Sequence, residues 1–357
     1  MMDSSPQRTA PPVSTVIVGY GLAGRAFHAP LILRQPGLKL SGVVARDATI
    51  RKQAVSTLDV TGFSSLDEAL DDPTVRLIVI ATPHDSHAEL AIRALDAGKN
   101  CVVDKVMALS TEEADRMIEA RDRSGRMLSV FQNRRWDWDF LTVKHVLESG
   151  AIGKPLLFES AVCRYASPRS WRGRLRAAGT ILHDWGAHLV DQALQLGLGP
   201  CRRLSASLIP APWEGVETGG HGRIVMEFDG TIFQVETSRV CLLDRPRWWI
   251  VGTEGGFAKF GVDPQEEALR AGNIDGATEP AGNQGVLRRG GESGNVTETI
   301  VESLRGSWDG YYKNIADHLT NDAPLIVTAE QGREVVRVLD AAAISSRRHA
   351  MIEGPWG

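Results

Sequence analysis

The sequence predicts an α/β protein of two domains, in which a parallel sheet precedes a mainly antiparallel one. In residues 13–131, short β-branched runs alternate with longer amphipathic segments, which is typical of βαβ units. After about residue 133, strand-like runs follow one another through tight turns such as Asp229-Gly230, which favours antiparallel pairing. A chain of 357 residues is long enough for about two domains. We therefore predict a domain boundary near residue 133.

The first domain is predicted to span residues 13–132, after a flexible, polar leader at 1–12. Its strands are predicted at residues 13–18, 38–44, 75–81, 100–103 and 127–131. Its helices are predicted at residues 24–34, 50–58, 66–70, 86–97 and 111–124. The run at 75–81 is almost entirely apolar, as expected of a strand that is covered on both faces.

The second domain, residues 133–357, is predicted to combine helices with a sheet. Its helices are predicted at residues 138–149, 180–196, 311–319 and 329–347, the last a candidate to pack back on the first domain. Its strands are predicted at residues 156–164, 204–209, 221–228, 231–240, 247–251 and 256–260. Residues 272–294 contain seven glycines and few apolar residues, so this segment is predicted to be a long surface loop.

The composition excludes several classes of function. Lys and Arg number 40 against 44 Asp and Glu, and this net charge of −4 argues against nucleic-acid and membrane-surface partners. The four cysteines form no CxxC pair, which disfavours a disulfide framework or a zinc knuckle and fits a reducing compartment. Neither an apolar signal segment nor an apolar run of about 20 residues is present. These features predict a cytoplasmic protein with a small-molecule partner.

A glycine-rich motif, Gly19-Tyr20-Gly21-Leu22-Ala23-Gly24, directly follows the first predicted strand and opens a helix. In a GxGxxG motif the first glycine permits a tight turn and the second lets the backbone approach a pyrophosphate. The third allows close packing of helix and strand. The helix N-terminus offers unpaired N–H groups to the phosphates. In this context the motif predicts a dinucleotide site.

The residues that select the cofactor are expected about 20 positions later, at the end of the second strand. There the chain reads Val44-Ala45-Arg46-Asp47, so both residue types that distinguish the cofactors are present. An arginine suits the 2′-phosphate of NADP, whereas an acidic residue suits the ribose hydroxyls of NAD. Arg46 comes first, which favours NADP with NAD as the alternative. Asp47 could instead cap the next helix, which would strengthen the NADP interpretation.

Asp104 and Lys105 follow the strand predicted at 100–103, and ligands bind beyond the carboxyl ends of strands in such sheets. An ammonium group there can bond a substrate hydroxyl and stabilise developing alkoxide charge. A solvated surface lysine is the alternative. Thr82, Pro83 and His87 occupy the same position after another strand and are candidates to line the nicotinamide side of the site.

Asp184 and His188 are four residues apart in a predicted helix, so they are expected on one face. A histidine suits proton transfer near neutral pH, and a carboxylate could orient it or bind the same substrate. A buried structural Asp–His pair is the alternative. His183 adds no HExxH pattern, so a metal site is not predicted.

Two clusters mix aromatic and charged residues. The first is Asn133-Arg134-Arg135-Trp136-Asp137-Trp138-Asp139, and the second contains Arg164-Tyr165 and Trp171-Arg172. Such clusters can bind single-stranded nucleic acid, but the overall acidity favours a polyol or sugar. Asn133 and Tyr165 are the candidate substrate contacts, and Asn133 is also a candidate cofactor contact.

Together these residues resemble the glucose-fructose oxidoreductase/inositol dehydrogenase (Gfo/Idh/MocA) family, over about residues 13–350. The matching motifs are the glycine motif at 19–24, Ala81-Thr82-Pro83 with His87, Asp104-Lys105, residues 179–188 and Thr328-Ala329-Glu330. The stretches at 130–137, 139–144 and 259–272 are most similar to the NADP-dependent scyllo-inositol dehydrogenase branch of that family.

The resemblance implies a doubly wound Rossmann domain followed by an α+β domain with an open, mainly antiparallel sheet. It implies a catalytic set of Lys105, Asp184 and His188, of which Asp184 would orient His188. It also implies a dimer or tetramer. The family usually has proline after the lysine, where this chain has Val106. Because a cis bond before a residue other than proline costs about 3–4 kcal/mol, we expect a trans bond there.

The hypothesis from sequence is therefore an NADP-preferring dehydrogenase of a cyclic polyol or sugar. Two alternatives stay open. One is a non-catalytic regulator that binds dinucleotide and sugar. The other is an enzyme that exchanges oxidation and reduction between two sugars on a tightly bound NADP.

Overall fold

The computed structural model describes residues 11–291 and 294–354, so most of the predicted leader lies outside the described residues. The first half of the chain forms a six-stranded sheet whose strands all run parallel. The strands are β1 (Val13–Val18), β2 (Leu38–Val44), β3 (Thr61–Phe63), β4 (Leu77–Ile80), β5 (Asn100–Val103) and β6 (Leu128–Val130).

The strand order is β3-β2-β1-β4-β5-β6, so the chain reverses direction across the sheet beside β1. Such a reversal opens a crevice at the carboxyl ends of the strands, where ligands bind in doubly wound sheets. All four residues of β4 are buried, because helices cover both faces of the sheet centre.

Five helices connect these strands. They are α1 (Ala29–Leu33), α2 (Ala48–Leu58), α3 (Leu66–Leu70), α4 (His87–Asp96) and α5 (Thr111–Ser124). A π-helical turn at Gly24–His28 precedes α1, so the helix predicted at 24–34 starts with a wider first segment. Ser110 caps α5 by accepting a bond from the Glu113 amide, and Gly125 ends it at φ +64°.

The second half of the chain forms a nine-stranded sheet of order β14-β13-β12-β11-β7-β10-β9-β8-β15. Its strands are β7 (Pro155–Cys163), β8 (Arg203–Ile209), β9 (His221–Phe228), β10 (Thr231–Ser238), β11 (Trp248–Gly252), β12 (Gly255–Lys259), β13 (Gly285–Gly290), β14 (Val296–Val301) and β15 (Ile352–Glu353). Every neighbouring pair is antiparallel except β7 and β10. The predicted fold class is confirmed.

Six helices accompany this sheet. They are α6 (Trp138–Glu148), α7 (Leu175–Ala178), α8 (Trp185–Leu194), α9 (Gln265–Arg270), α10 (Asp309–Asn321) and α11 (Ala329–Arg348). Helix α8 packs on β7 and β10, while α11 packs on β8. Helices α10 and α11 also return to the first sheet, where they contact β1 and β6 respectively. Asp340 on α11 accepts bonds from the Thr111 amide (2.7 Å) and hydroxyl (2.6 Å).

Two predicted elements are wrong. The segment 272–294 is not a loop throughout, because β13 pairs with β12 on one side and β14 on the other. Its Val286-Leu287 pair is apolar enough for a strand once neighbouring strands supply the backbone bonds. The helix predicted at 180–196 is broken at Asp184, whose backbone (φ −81°, ψ −98°) separates a short 3₁₀ turn from α8.

Candidate active site

The glycine motif forms the turn between β1 and the first helix. Gly19 has φ +96°, and a Cβ there would lie 2.6 Å from the Ala81 carbonyl oxygen. Gly24 packs directly against the Gly19 carbonyl, which leaves no space for a side chain. A Cβ on Gly21, in contrast, would meet nothing within 4 Å. The middle glycine therefore leaves its backbone open to a ligand, as the approach of a pyrophosphate requires.

A cavity of about 700 Å³ lies over this turn. Residues from every predicted part of the dinucleotide site line it, namely Gly19, Tyr20, Gly21, Leu22, Ala23, Arg46, Thr82, Pro83, Asp104 and Lys105. The open backbone at Gly21 and the size of the cavity both fit a nicotinamide dinucleotide. We call it the dinucleotide cavity.

Arg46 and Asp47 both line the dinucleotide cavity, but among the described residues only the Asp47 side chain has hydrogen-bond partners within the protein. Its carboxylate caps α2 by accepting bonds from the Thr49 (2.7 Å) and Ile50 (3.2 Å) amides. These backbone bonds lower the pKa of Asp47. The capping interpretation of Asp47 is therefore confirmed. Three further polar side chains line the cavity and carry no sequence signal, namely Ser64, Ser65 and Arg93.

Lys105 follows β5 and reaches Asp184, the residue that directly precedes α8. Its Nζ atom lies 3.1 Å from the Asp184 carbonyl oxygen and 3.2 Å from Oδ1 of the same residue. The Lys105–Val106 peptide bond is cis, so the expectation of a trans bond is wrong. The expectation used the local cost alone, whereas Val106 is fully buried and its carbonyl accepts a bond from His87 Nδ1 (2.8 Å).

Asp104 contacts the segment around Lys105 through its carboxylate. Its Oδ1 accepts the Lys105 amide (2.7 Å), and its Oδ2 lies 3.7 Å from His28 Nε2. Burial acts to raise the pKa of Asp104, but His28 and Lys105 outweigh it and lower the pKa to about 2. The carboxylate is thus anionic beside the lysine.

His87 is fully buried and does not line the dinucleotide cavity. Its two ring nitrogens lie 2.8 Å from the Val106 oxygen and 3.0 Å from the Thr82 oxygen. We predicted that His87 contacts the cofactor. Its ring nitrogens instead face the carbonyl oxygens of Thr82 and Val106, so His87 supports the segments that follow β4 and β5. His84, not His87, lines the cavity, with its ring 5.0 Å from that of Trp171.

A second cavity of about 280 Å³ adjoins the first, and we call it the substrate cavity after the role that we propose for it under Proposed function. Six residues line both cavities, namely Leu22, Ala23, Asp104, Lys105, Arg172 and Asp184. The substrate cavity alone is lined by Phe27, Phe131, Asn133, Arg134, Arg164, Trp185, His188, Glu266, Arg270 and Trp308. It combines aromatic faces with hydrogen-bonding groups, a surface suited to a sugar or polyol ring.

Asp184 lies at the junction of the cavities but does not orient His188. Its carboxylate bonds Lys105 (3.2 Å) and Arg239 (2.7 Å), and Arg164 lies 3.7 Å away. Burial acts to raise the pKa of Asp184, but Lys105, Arg239 and Arg164 hold it well below its usual range. The predicted shared helix face is wrong because Asp184 precedes α8, and its non-helical backbone aims the side chain elsewhere.

His188 lies within α8 and lines the substrate cavity. Its Nδ1 atom is buried and has no hydrogen-bond partner among the described residues, so Nε2 is the nitrogen available to a ligand. Burial lowers the pKa of His188 well below its usual value, and Lys105 and Arg134 lower it further. The imidazole is therefore neutral near pH 7 and able to accept a proton.

Of the remaining predicted residues, one lines a cavity and the others do not. Asn133 lines the substrate cavity, whereas Tyr165 lines neither cavity and packs its ring 5.7 Å from that of Trp213. His183 caps the turn before α8, with Nδ1 3.1 Å from the Thr180 amide nitrogen. Within the described ranges, no cluster of three or more His, Cys, Asp or Glu residues is placed to hold a metal ion.

The sequence did not single out several residues of the substrate cavity. Trp308 comes from the start of α10, more than 100 residues after the other aromatic residues of the cavity, and no local motif marks it. Glu266 and Arg270 lie on α9, inside the stretch at 259–272 that carried the family resemblance. That stretch was the available signal for these two residues.

Two family models match consecutive parts of the chain. Residues 13–132 match the oxidoreductase family with an NAD-binding Rossmann fold, and residues 140–258 match the Gfo/Idh/MocA C-terminal domain. The chain belongs to the Gfo/Idh/MocA oxidoreductase family. The family and the oxidoreductase class predicted from the sequence are confirmed.

Relatives of this Gfo/Idh/MocA protein match it over nearly its whole length. Scyllo-inositol 2-dehydrogenase (NADP(+)) of Bacillus subtilis is 32% identical over 353 residues, which cover 97% of each chain. The uncharacterized oxidoreductase YdgJ of Escherichia coli is 34% identical over 343 residues, covering 94% of this chain and 97% of the relative. A solved structure of the oxidoreductase yvaA from Bacillus subtilis has a TM-score of 0.91 and 30% identity, covering 98% of this chain and 100% of that one. In the described part of this chain, no helix combines the length and apolarity needed to cross a membrane.

Proposed function

We propose that this protein is an NADP-preferring dehydrogenase that acts on a ring hydroxyl of a cyclic polyol or sugar. The observation that carries the proposal is the junction of the two cavities, which Lys105 and Asp184 both line. A ring in the substrate cavity would lie beside the part of the dinucleotide cavity that Lys105 borders. The name of the Bacillus subtilis relative suggests an inositol-like ring and supports NADP.

Several residues would hold the cofactor. The open backbone at Gly21 and the adjoining helix N-terminus would bind the pyrophosphate. Arg46 would bind the 2′-phosphate, since the Asp47 carboxylate already caps α2. The bound nicotinamide supplies the hydride acceptor or donor.

Side chains of the protein would accept the hydroxyl proton of the substrate and stabilise the negative charge that develops on its oxygen. His188, neutral in its buried position, would accept the hydroxyl proton at Nε2 during oxidation. The Lys105 ammonium would bond the same oxygen and stabilise its developing negative charge. Asp184 would fix the position of that ammonium through the 3.2 Å contact, rather than orient the histidine.

The proposal extends to organisation and location. Residues 13–132 would bind the dinucleotide, while residues 133–357 would bind substrate and mediate assembly into a dimer or tetramer. We propose a cytoplasmic location, for which the composition gives the only support.

The experiment is a reduced-cofactor absorbance assay of the purified protein with NADP and NAD in parallel. The substrates are the inositol isomers and common aldopyranoses, and dinucleotide binding is measured separately. We expect turnover of at least one polyol with a higher kcat/KM for NADP than for NAD. Dinucleotide binding without turnover of any polyol or sugar would overturn the proposal and favour the regulator. Cofactor that stays bound through purification would favour the sugar–sugar oxidoreductase.

A further inference from the structure

The substrate cavity carries more positive than negative charge. Five cationic side chains line it, namely Lys105, Arg134, Arg164, Arg172 and Arg270, against the three carboxylates of Asp104, Asp184 and Glu266. A neutral polyol needs hydrogen-bond donors and acceptors but gains nothing from an excess of one charge. The distribution of this excess therefore indicates what the cavity holds.

Most of the charges are paired within the protein. Arg134 is buried and bonds both Asp137 (3.2 Å) and Glu266, and its guanidinium carbon lies 3.9 Å from the Trp185 ring centre. Arg270 pairs with Glu266 at 2.9 Å. These two arginines build the wall of the cavity, because both are already bonded to acidic side chains of the protein.

The excess is concentrated around Asp184. Lys105 and Arg239 already bond its two carboxylate oxygens at 3.2 and 2.7 Å. Arg164 reaches the same carboxylate only at 3.7 Å, with about half of its side chain exposed. Among the described residues, Arg172 has no carboxylate within 4.0 Å, and its guanidinium carbon lies 4.6 Å from the Trp171 ring centre. Burial lowers the pKa of Arg239, and the nearby charges of Arg164 and Arg172 lower it further.

Arg164 and Arg172 lie near Arg239 and repel it, while Lys105 and Arg239 already neutralise the Asp184 carboxylate. A second anion beside Arg164 and Arg172 would relieve this repulsion. A planar guanidinium matches a carboxylate or phosphate with two parallel bonds. Two sources of such an anion exist, the substrate and the phosphates of the dinucleotide. Arg172 lines both cavities, so it could serve either source, whereas Arg164 lines the substrate cavity alone.

We propose that the substrate is an anionic polyol of monosaccharide size, and that Arg164, assisted by Arg172, binds its carboxylate or phosphate. The inference rests on the proposed function, since it names the substrate class of the same site. The size follows from the cavity volume of about 280 Å³, which is just below the usual range for small-molecule pockets, roughly 300–1,000 Å³. The anion would bind at the Asp184 edge of the cavity, with the ring beside Trp185, which follows Asp184 in the chain and lines the same cavity.

The first test compares charged sugars with their neutral parents on the wild-type protein. Glucuronate and glucose 6-phosphate are each compared with glucose, and galacturonate with galactose, using kcat/KM with NADP. We expect at least one anionic compound to exceed its neutral parent by about tenfold or more, as a hydrogen bond to a charged group allows. Equal or weaker values for every anionic compound would overturn the inference while leaving the dehydrogenase intact.

The second test uses Arg164→Gln, with Arg202→Gln as the control. Arg202 is an exposed arginine paired with Asp229, and it lines neither cavity. We expect Arg164→Gln to lower kcat/KM for the anionic substrate at least about tenfold more than that for its neutral parent. Equal losses on both substrates would show a general effect on the site. A loss of NADPH affinity instead would assign the arginine to the cofactor phosphates. Either outcome would overturn the inference.

A binding measurement separates this inference from the proposed function. A change in tryptophan fluorescence on addition of each sugar acid, with NADPH present, measures binding without any turnover, since Trp185 lines the substrate cavity. If no polyol is oxidised, the proposed function fails. Binding of a sugar acid that weakens in Arg164→Gln would still support the anion site, and no binding of any anionic sugar would overturn it.

Discussion

The dinucleotide cavity and the substrate cavity are lined by different kinds of groups. The floor of the first includes the backbone turn of one continuous motif, of which residues 19–23 line the cavity. Charged and aromatic side chains form the walls of the second, and they come from positions as far apart as Phe27 and Trp308. The first cavity is therefore largely a product of the fold. The second depends on individual side chains, which can change while the fold is kept.

The largest effect that separates the two cavities is expected from His188→Ala. Loss of the group that accepts the proton should lower kcat about 100- to 10,000-fold, the usual contribution of a general base. NADPH affinity should stay within about twofold, because His188 lines only the substrate cavity. Steady-state kinetics and a fluorescence titration with NADPH measure the two quantities.

His188→Gln is a matched variant that keeps a polar side chain but cannot accept the proton in the same way. It should be as impaired as His188→Ala. Unchanged turnover in either variant would remove His188 from the chemistry.

The reverse effect is expected from Gly21→Ala. The added methyl group meets nothing within 4 Å in the protein, so the folded state should be undisturbed. It would, however, occupy the space where the pyrophosphate approaches the backbone. Crowding of this kind costs about 1–3 kcal/mol, so we expect the Kd for NADPH to rise about 10- to 100-fold.

Gly282→Ala is the matched control, because its added methyl group also has no neighbour within 4 Å and Gly282 does not line the dinucleotide cavity. Thermal unfolding should show the same small change in both variants. If Gly21→Ala bound NADPH as tightly as the control, the pyrophosphate would have to lie elsewhere.

The same contrast explains what the sequence predicts well. Strands β1, β2 and β5 have the predicted bounds, because their β-branched runs are flanked by clear turn signals. The glycine motif predicts its own geometry because Gly19 and Gly24 each meet a local steric requirement, while Gly21 leaves the backbone open. Strands β13 and β14 were not predicted, since much of their stability comes from pairing with neighbours rather than from their own residues.

The substrate cavity was predicted only in part. Spacing placed Asp184 and His188 on one helix face, but a single non-helical residue before α8 turned the carboxylate toward Lys105 and Arg239. Spacing rules assume a continuous helix, and the break depends on tertiary contacts. Trp308 reaches the cavity only through the return of α10 to the first sheet, which no local pattern encodes.

A third prediction concerns the turn that shapes the substrate cavity. Burial lowers the pKa of His183, which caps this turn, to about 4, against about 6.5 in an unfolded chain. The unfolded state therefore binds more protons between these two values, so the contribution is full above pH 6.5 and is lost as the pH falls toward 4. When the pH falls from 7 to 4.5, we expect the titration of His183 to lower the free energy of unfolding by about 2 kcal/mol.

His183→Gln isolates this contribution, because glutamine can keep the cap without a proton to gain. Denaturant unfolding at both pH values should show a smaller loss of stability in the variant than in the wild type. The same loss in both proteins would mean that His183 does not titrate in this range.

The smallest effect is expected at the outer end of the dinucleotide cavity, where a side chain rather than the backbone determines the cofactor. Arg46→Ala should lower kcat/KM with NADP about tenfold and leave that with NAD within about twofold. The loss is limited because Ser64, Ser65 and Arg93 line the same cavity and can still bond a phosphate. Lys52→Ala removes an equal charge from an exposed position on α2 and is the control. Equal losses with both cofactors would show that Arg46 supports the cavity but does not bind the 2′-phosphate. A preference for NADP would then have to come from other residues.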